Sequence, residues 1–303
     1  MTRPVVRAAT RSSPLARWQT AFVASQLASI GIDVVEFFVE TLGDRTQATN
    51  TPLHSIGGQG VFVKEVQAAV LSGHADLAVH SAKDLPAVTP DGLILASIPG
   101  RGEVRDMLIG SSLEALPRGA LVGTGSVRRR AQLLHKRADL VFAEVRGNIG
   151  TRLAKAAQFD AIVLARVPLE RLELLDGIQG EVLSTAVMLP MIAQGAIAVE
   201  CRADDEATLE ALRLIDDATA HASVDCERAY LLRLGGGCEL PVAAYATVDG
   251  DTITLDALVA AHNGSEVLRR TGTALLDDRL ALGTSLADEL LALGGSALLA
   301  QLR

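Results

Sequence analysis

Aromatic side chains make up only 3% of this 303-residue chain. So few rings leave little to stack on sugars or unpaired bases, which argues against single-stranded nucleic-acid binding. Positive charge is also short: 28 Lys and Arg face 36 Asp and Glu, a formal net charge of -8. A nucleic-acid binder carries the opposite imbalance. There are three cysteines, Cys201, Cys226 and Cys238, with no CxxC spacing. An odd count without that spacing leaves neither a disulfide framework nor a zinc site to expect, and no metal is expected. No stretch approaches the ~18 consecutive apolar residues of a membrane span, and Met1-Thr2-Arg3-Pro4 lacks the apolar run of a signal peptide. The expectation is a soluble, cytoplasmic protein with no nucleic-acid or membrane partner.

What is present is enough apolar material for a core, with 49% hydrophobic and 21% charged residues, over a length that suits two or three domains. Short apolar runs alternate with amphipathic stretches as far as about residue 215. Strands are read at Val5 to Ala9, Val34 to Val39, Asp76 to His80 and Leu93 to Ile98, and helices at Pro14 to Ile30 and Val61 to Ser72. Ser12 or Ser13 would cap the first helix, with Pro14 in its opening turn. A new unit starts near Gly100, with strands at Leu121 to Gly123, Leu140 to Val145 and Asp160 to Ala165 and helices from about Val127 and Ile149. Ala196 to Cys201 could return the chain to the first unit. Such alternation implies parallel sheets covered by helices. After about residue 218 two strands, Ala243 to Val248 and Thr252 to Val259, flank the hairpin signal Asp249-Gly250-Asp251. A third runs from Glu266 to Gly272, and a helix covers roughly Asp278 to Leu293. The fold class is therefore α/β, with two doubly wound domains (1–99 with 196–215, and 100–195) and a small C-terminal α+β domain, 218–303, with an antiparallel sheet.

One arrangement recurs: a strand, a polar turn, a helix start, and arginine at the junction. It stands at Ala9-Thr10-Arg11-Ser12-Ser13, at Gly123-Thr124-Gly125-Ser126-Val127-Arg128-Arg129 and at Arg146-Gly147-Asn148-Ile149-Gly150-Thr151-Arg152. Strand carboxyl ends line the ligand crevice of open α/β sheets. Helix starts offer free N–H groups there, and arginine grips carboxylates or phosphates bidentately. Any single arginine is more often a solvated helix-start residue, but three in one context point to a polyanionic ligand. Lys83 and Asp84 follow another strand, and an acid among cations suits proton transfer or stabilisation of a developing cation. An ordinary surface ion pair explains them equally well. Gly235-Gly236-Gly237-Cys238 puts a thiol on an approachable loop, where a thiolate is a strong nucleophile. Cys201 and Cys226 sit in strand-like and helix-like contexts, as small buried residues do.

In this order Ala-Thr-Arg, Val-His-Ser-Ala-Lys-Asp-Leu-Pro, Gly-Thr-Gly-Ser-Val-Arg-Arg, Val-Arg-Gly-Asn-Ile-Gly-Thr-Arg-Leu and Gly-Gly-Cys resemble the porphobilinogen deaminase (hydroxymethylbilane synthase) family, as do Gly57 to Glu65 and Gln194-Gly195-Ala196. The likeness covers nearly the whole chain. It implies two lobes like those of anion-binding proteins, and a third domain whose cysteine, here Cys238, holds a dipyrromethane through a thioether. It implies an enzyme that deaminates four porphobilinogen molecules and joins them into hydroxymethylbilane. Asp84 would be catalytic. Lys83, Thr124, Ser126, Arg128, Arg129 and Gly147 would bind the cofactor. Arg11, Ser13, Arg146, Arg152, Arg171 and Gln194 would bind substrate or the growing chain. The alternative is a non-catalytic or repurposed relative that binds a carboxylated pyrrole or another anion.

Several positions depart from the family pattern. Ser55 and Gln59 stand where lysines are common, Glu103-Val104 replaces Asp-Pro, and Gly125 replaces a common serine. Ala165-Arg166-Val167-Pro168-Leu169 replaces a small-residue Ala-Gly-Leu sequence, and Ala193 is often glycine. Proline fixes φ and lacks a donor where glycine lets backbone approach a ligand. These changes bear on the substrate pocket more than on the cofactor site.

Overall fold

A computed structural model describes residues 3–47, 60, 62–236 and 239–300. Cys238, Ser55 and Gln59, all singled out above, lie outside the described residues. The chain divides into two compact units, Met1–Gly102 with Gly195–His221 and Glu103–Gln194 with Ala222–Arg303.

In chain order the first unit opens with β1 (Val5–Thr10), α1 (Pro14–Ser29), β2 (Asp33–Phe38), α2 (Leu42–Gln47), α3 (Lys64–Leu71), β3 (Leu77–Ser81) and β4 (Leu93–Ser97). The second unit then supplies β5 (Asp106–Ile109), β6 (Leu121–Gly123), α4 (Val127–Lys136), β7 (Val141–Ala143), α5 (Ile149–Ala154), β8 (Ala161–Ala165), α6 (Val167–Arg171) and β9 (Gly180–Val182). β10 (Ile197–Arg202) and α7 (Glu206–Arg213) return to the first unit. α8 (Ala218–Arg233) leads back into the second, which ends with β11 (Val242–Asp249), β12 (Thr252–Ala260), β13 (Val267–Leu275), α9 (Arg279–Leu290) and α10 (Ser296–Ala300).

The first sheet has the order β2-β1-β3-β10-β4 and the second β7-β6-β8-β5-β9. Both contain three parallel strands, β2-β1-β3 and β7-β6-β8, beside an antiparallel pair of partners. The sheets are thus mixed rather than purely parallel as expected. The reason is connectivity: β10 enters the first sheet from the second unit, and β5 enters the second from the first, each running against its neighbour. Neither β5 nor β9 stood out in sequence, because strands this short show no period and, unlike β6, neither leads through a polar turn into a helix.

Helices cover both faces of each of these sheets. In the first unit Val23 and Leu27 of α1 and Leu209 and Leu212 of α7 bury Leu77, Val79 and Val199, while Val66 and Val70 of α3 pack with Ala9 and Ala78. In the second, Leu133 of α4 packs with Leu108, Val122 and Val163, and α5 and α6 cover Met107, Ile162 and Leu164. The third sheet, β11-β12-β13, is an antiparallel meander. Ala243, Leu258 and Ala260 of that sheet form a core cluster with Ala131 of α4. Gly264, in the β12–β13 turn, sits so close to α4 that an added Cβ would lie 2.5 Å from Leu134 Cβ and 2.7 Å from Ala131 O.

Candidate active site

In the first unit the polar residues gather at the carboxyl ends of β1 and β3. Arg11 follows β1 directly, and Ser13 caps α1 by accepting a 3.4 Å hydrogen bond from the Ala16 N–H. Lys83 and Asp84 lie in the short 3-10 turn, Ala82–Asp84, after β3. Arg11, Ser13, Gln19, His80, Ser81 and Asp84 line one cavity. The Gln19 side-chain amide donates to Ser81 Oγ at 2.8 Å. Arg11 is held by Asp44 through Nε and Nη2, and its guanidinium stacks 4.2 Å above the Phe62 ring. Asp44 in turn accepts from the Thr41 hydroxyl at 2.7 Å. Burial alone would raise the Asp44 pKa, but the hydrogen bonds and charge of Arg11 and those of Thr41 outweigh it and hold the carboxyl below its ordinary value. Asp84 is half-buried, and its carboxylate has no hydrogen-bond or ion-pair partner among the described residues. An acceptor-only group left open in a cavity beside a guanidinium suits a ligand carrying both N–H donors and carboxylates.

The second unit repeats the pattern with a different internal balance. Ser126 caps α4 by accepting from the Arg129 N–H, and Thr124 Oγ1 accepts from the Ser126 N–H. Arg128 and Arg129 point back from α4 into the core and share Asp106, each at 2.8 Å. Gln194 completes the ring, donating to Asp106 Oδ1 at 2.9 Å and to the Val104 carbonyl at 2.7 Å. Burial disfavours the Asp106 charge, yet the two guanidiniums and their hydrogen bonds more than offset it and depress its pKa far below the carboxylate range. Burial lowers the Arg128 pKa. Two guanidiniums against one carboxylate leave one positive charge over, and the Nε groups of both arginines are buried without a partner. The cluster therefore keeps a surplus of charge and donors for an anion.

Two family models match, described as porphobilinogen deaminase, dipyromethane cofactor binding domain, over residues 6–210, and porphobilinogen deaminase, C-terminal domain, over residues 221–292. A porphobilinogen deaminase from Syntrophotalea carbinolica is 45% identical over 309 aligned residues that cover 100% of this chain and 97% of the relative. One from Brevibacillus brevis is 43% identical over 282, covering 90% of each. The chain belongs to the porphobilinogen deaminase family.

The family model that covers residues 6–210 is that of a dipyrromethane-binding domain, and each unit by itself offers groups that suit such a ligand: an open carboxylate for pyrrole N–H in the first, surplus guanidinium charge for acidic side chains in the second. The remaining candidates of the second unit stand at the ends of β7 and β8. Arg146 forms a two-pronged ion pair with Glu144, at 2.9 and 3.0 Å. Gly147 has φ +114°, and a Cβ there would lie 2.6 Å from Thr151, so local backbone already requires glycine. The Gly147 carbonyl accepts from Arg152 Nε at 2.8 Å. Burial lowers the Arg171 pKa to about 10. Burial likewise pushes the thiols of Cys201 and Cys226 up, to about 11 and about 12, as expected of inert core cysteines.

The departures from the porphobilinogen deaminase pattern acquire physical reasons. Pro168 sits in the first turn of α6, where a missing N–H costs nothing. Arg166 just before it is turned onto Glu170, one helical turn on, at 2.7 Å. Glu103 pairs with Arg105, whose hydrogen bonds lower its pKa to about 2. A Cβ on Gly125 would meet nothing closer than 3.8 Å, so serine fits equally well there. Ala193 has φ +58°, a left-handed conformation that glycine adopts without strain.

Asp106, Gln19, His80 and Glu200 were not among the residues assigned from sequence. Asp106 and His80 lay inside recognised stretches without a role. Glu200 gave a readable signal, as a lone acid within the buried run Ile197–Arg202.

Proposed function

We propose that this chain is a working hydroxymethylbilane synthase rather than a silent relative, with Asp84 as its catalytic carboxylate and Cys238 as the anchor of its dipyrromethane. The observation that carries the reading is the open carboxylate of Asp84 in a cavity shared with Arg11, Ser13 and Gln19. When bound, the dipyrromethane supplies the free pyrrole α-carbon on which the chain of four substrate pyrroles is built. Asp84 accepts hydrogen bonds from pyrrole N–H groups, and its fixed charge lowers the barrier to the cationic azafulvenium left when ammonia departs from porphobilinogen. Lys83, Thr124, Ser126, Arg128, Arg129 and Gly147 serve the cofactor, through donors and the surplus positive charge beside Asp106. Arg11, Ser13, Arg146, Arg152, Arg171 and Gln194 serve substrate and product, whose acetates and propionates account for so many arginines. The residues 218–303 form the domain that carries Cys238. The net charge of -8 supports a small-molecule substrate over nucleic acid, and no described helix is long and apolar enough to cross a membrane. A monomeric, cytoplasmic enzyme completes the reading. The strongest argument for a repurposed relative is Pro168, which in the first turn of α6 costs the fold nothing.

The test is to incubate cofactor-loaded protein with porphobilinogen and follow ammonia and hydroxymethylbilane together. Four ammonia per bilane is expected. Tight binding of porphobilinogen without ammonia release would favour the silent relative.

A further inference from the structure

A buried pair of titratable groups adjoins the cavity and takes no part in the reading above. His80, on β3, lines the cavity, and its side chain is 4% exposed. Its Nε2 lies 3.2 Å from Oε2 of Glu200 on β10, whose side chain is 1% exposed. The contact is close but poorly aligned, so Nε2 lacks a well-formed hydrogen bond. The Gln67 amide of α3 donates to both Glu200 oxygens, at 3.1 and 2.9 Å. Three elements thus converge to hold one carboxylate out of water behind one imidazole. Glu200 itself does not line the cavity. A buried carboxylate needs a positive partner, and His80 is placed to become one. Its Nδ1 has no partner among the described residues.

The proposed reaction leaves a proton without a taker. Departing ammonia carries off the electron pair of its C–N bond, leaving the azafulvenium. The acceptor pyrrole's α-carbon then bonds to the azafulvenium methylene carbon. Its C–H bond breaks, returning an electron pair to the ring and releasing a proton. If Asp84 took that proton it would lose the charge that stabilises the next azafulvenium. We propose that His80 accepts this proton at Nδ1, with Glu200 as the positioning residue that stabilises the imidazolium formed. The proton then passes from His80 to the released ammonia, which leaves as ammonium. The arrangement follows the general logic of an imidazole base backed by a buried carboxylate. It rests on the proposed activity and adds a second proton-handling residue to it.

Porphobilinogen deuterated at its free α position tests the idea, because the first unit added becomes the labelled acceptor for the second. His80→Gln and Glu200→Gln are prepared with their cofactor, checked for folding by circular dichroism, and followed by rapid quench with intact mass of each covalent adduct. His80→Gln should lower kcat about 100-fold, leave KM little changed, and show a deuterium slowing of the second and later additions that the unsubstituted protein lacks. Glu200→Gln keeps the shape and should show the same isotope signature with a smaller loss. If His80→Gln does not fold, Glu200→Gln decides. Normal turnover, or slow turnover without a deuterium effect, would overturn the proposal, the latter marking the pair as structural. An unsubstituted protein that carries its cofactor and releases no ammonia would instead refute the proposed activity.

Discussion

Asp84 ends in a carboxylate that no described residue neutralises, whereas Asp44 and Asp106 are each committed to arginine. That contrast supports the proposed roles, in which paired acids build the site and the open one acts on the ligand. Asp84→Asn keeps the shape and removes the charge, so it should fold, retain its pyrrole and turn over at least ~100-fold more slowly. Asp84→Glu should lose less, since the charge survives in shifted geometry; steady-state assays of both variants check this. Asp106 gives a pH dependence of stability. Its folded pKa lies below the unfolded value of about 3.9, so its stabilisation is present above that value and drains away as pH falls through the folded one. Urea midpoints should fall steeply below about pH 4. Asp106→Asn should flatten that slope, at a cost near neutral pH of about 3–5 kcal/mol from two arginines left buried without their carboxylate. Ala193 points the other way. Its left-handed backbone costs roughly 1–2 kcal/mol, against ~0.4–1 kcal/mol for the extra unfolded freedom of glycine. Ala193→Gly should therefore stabilise the protein by at most about 1 kcal/mol, since loss of the buried methyl offsets part of the difference, read from the same urea curves.

Elements announced by a cap, a proline or a turn signal were legible, whereas α7 and the 16-residue α8 were not. α1 begins at Pro14 as its cap and proline announce, α4 begins at Val127, and β6 spans Leu121–Gly123 as read. The β11–β12 hairpin closes across Asp249-Gly250-Asp251. Also missed were α6, five residues long and containing proline, and the antiparallel direction of β5 and β10, which depends on how the chain passes between units and leaves no local mark. The arginines were legible as a pattern, but their partners were not: Asp44 and Asp106 lie 33 and more than 20 residues away in sequence from the arginines they hold. α6 carries its own prediction. Because Pro168 fits its turn and Arg166 is held by Glu170, replacing Arg166-Val167-Pro168 with Ala-Ala-Gly should leave folding intact. It should change KM or kcat for porphobilinogen, since the segment follows the end of β8. An identical kinetic profile would place it away from the substrate.

At the scale of the whole molecule, two sheets built on one plan each turn the carboxyl ends of three parallel strands toward a set of arginines. A third, antiparallel sheet packs against α4, the helix that carries Arg128 and Arg129. The sequence motifs stand at those strand ends because only there do backbone N–H groups and side chains converge without disturbing the cores. The covalent cofactor is the central claim, and the mass of the intact protein tests it most directly. Freshly prepared from cells that make porphobilinogen, the protein should be heavier than its sequence by one dipyrromethane, and Cys238→Ser should abolish the increment. An unmodified mass in the first case, or an increment that survives the Cys238→Ser change, would contradict it.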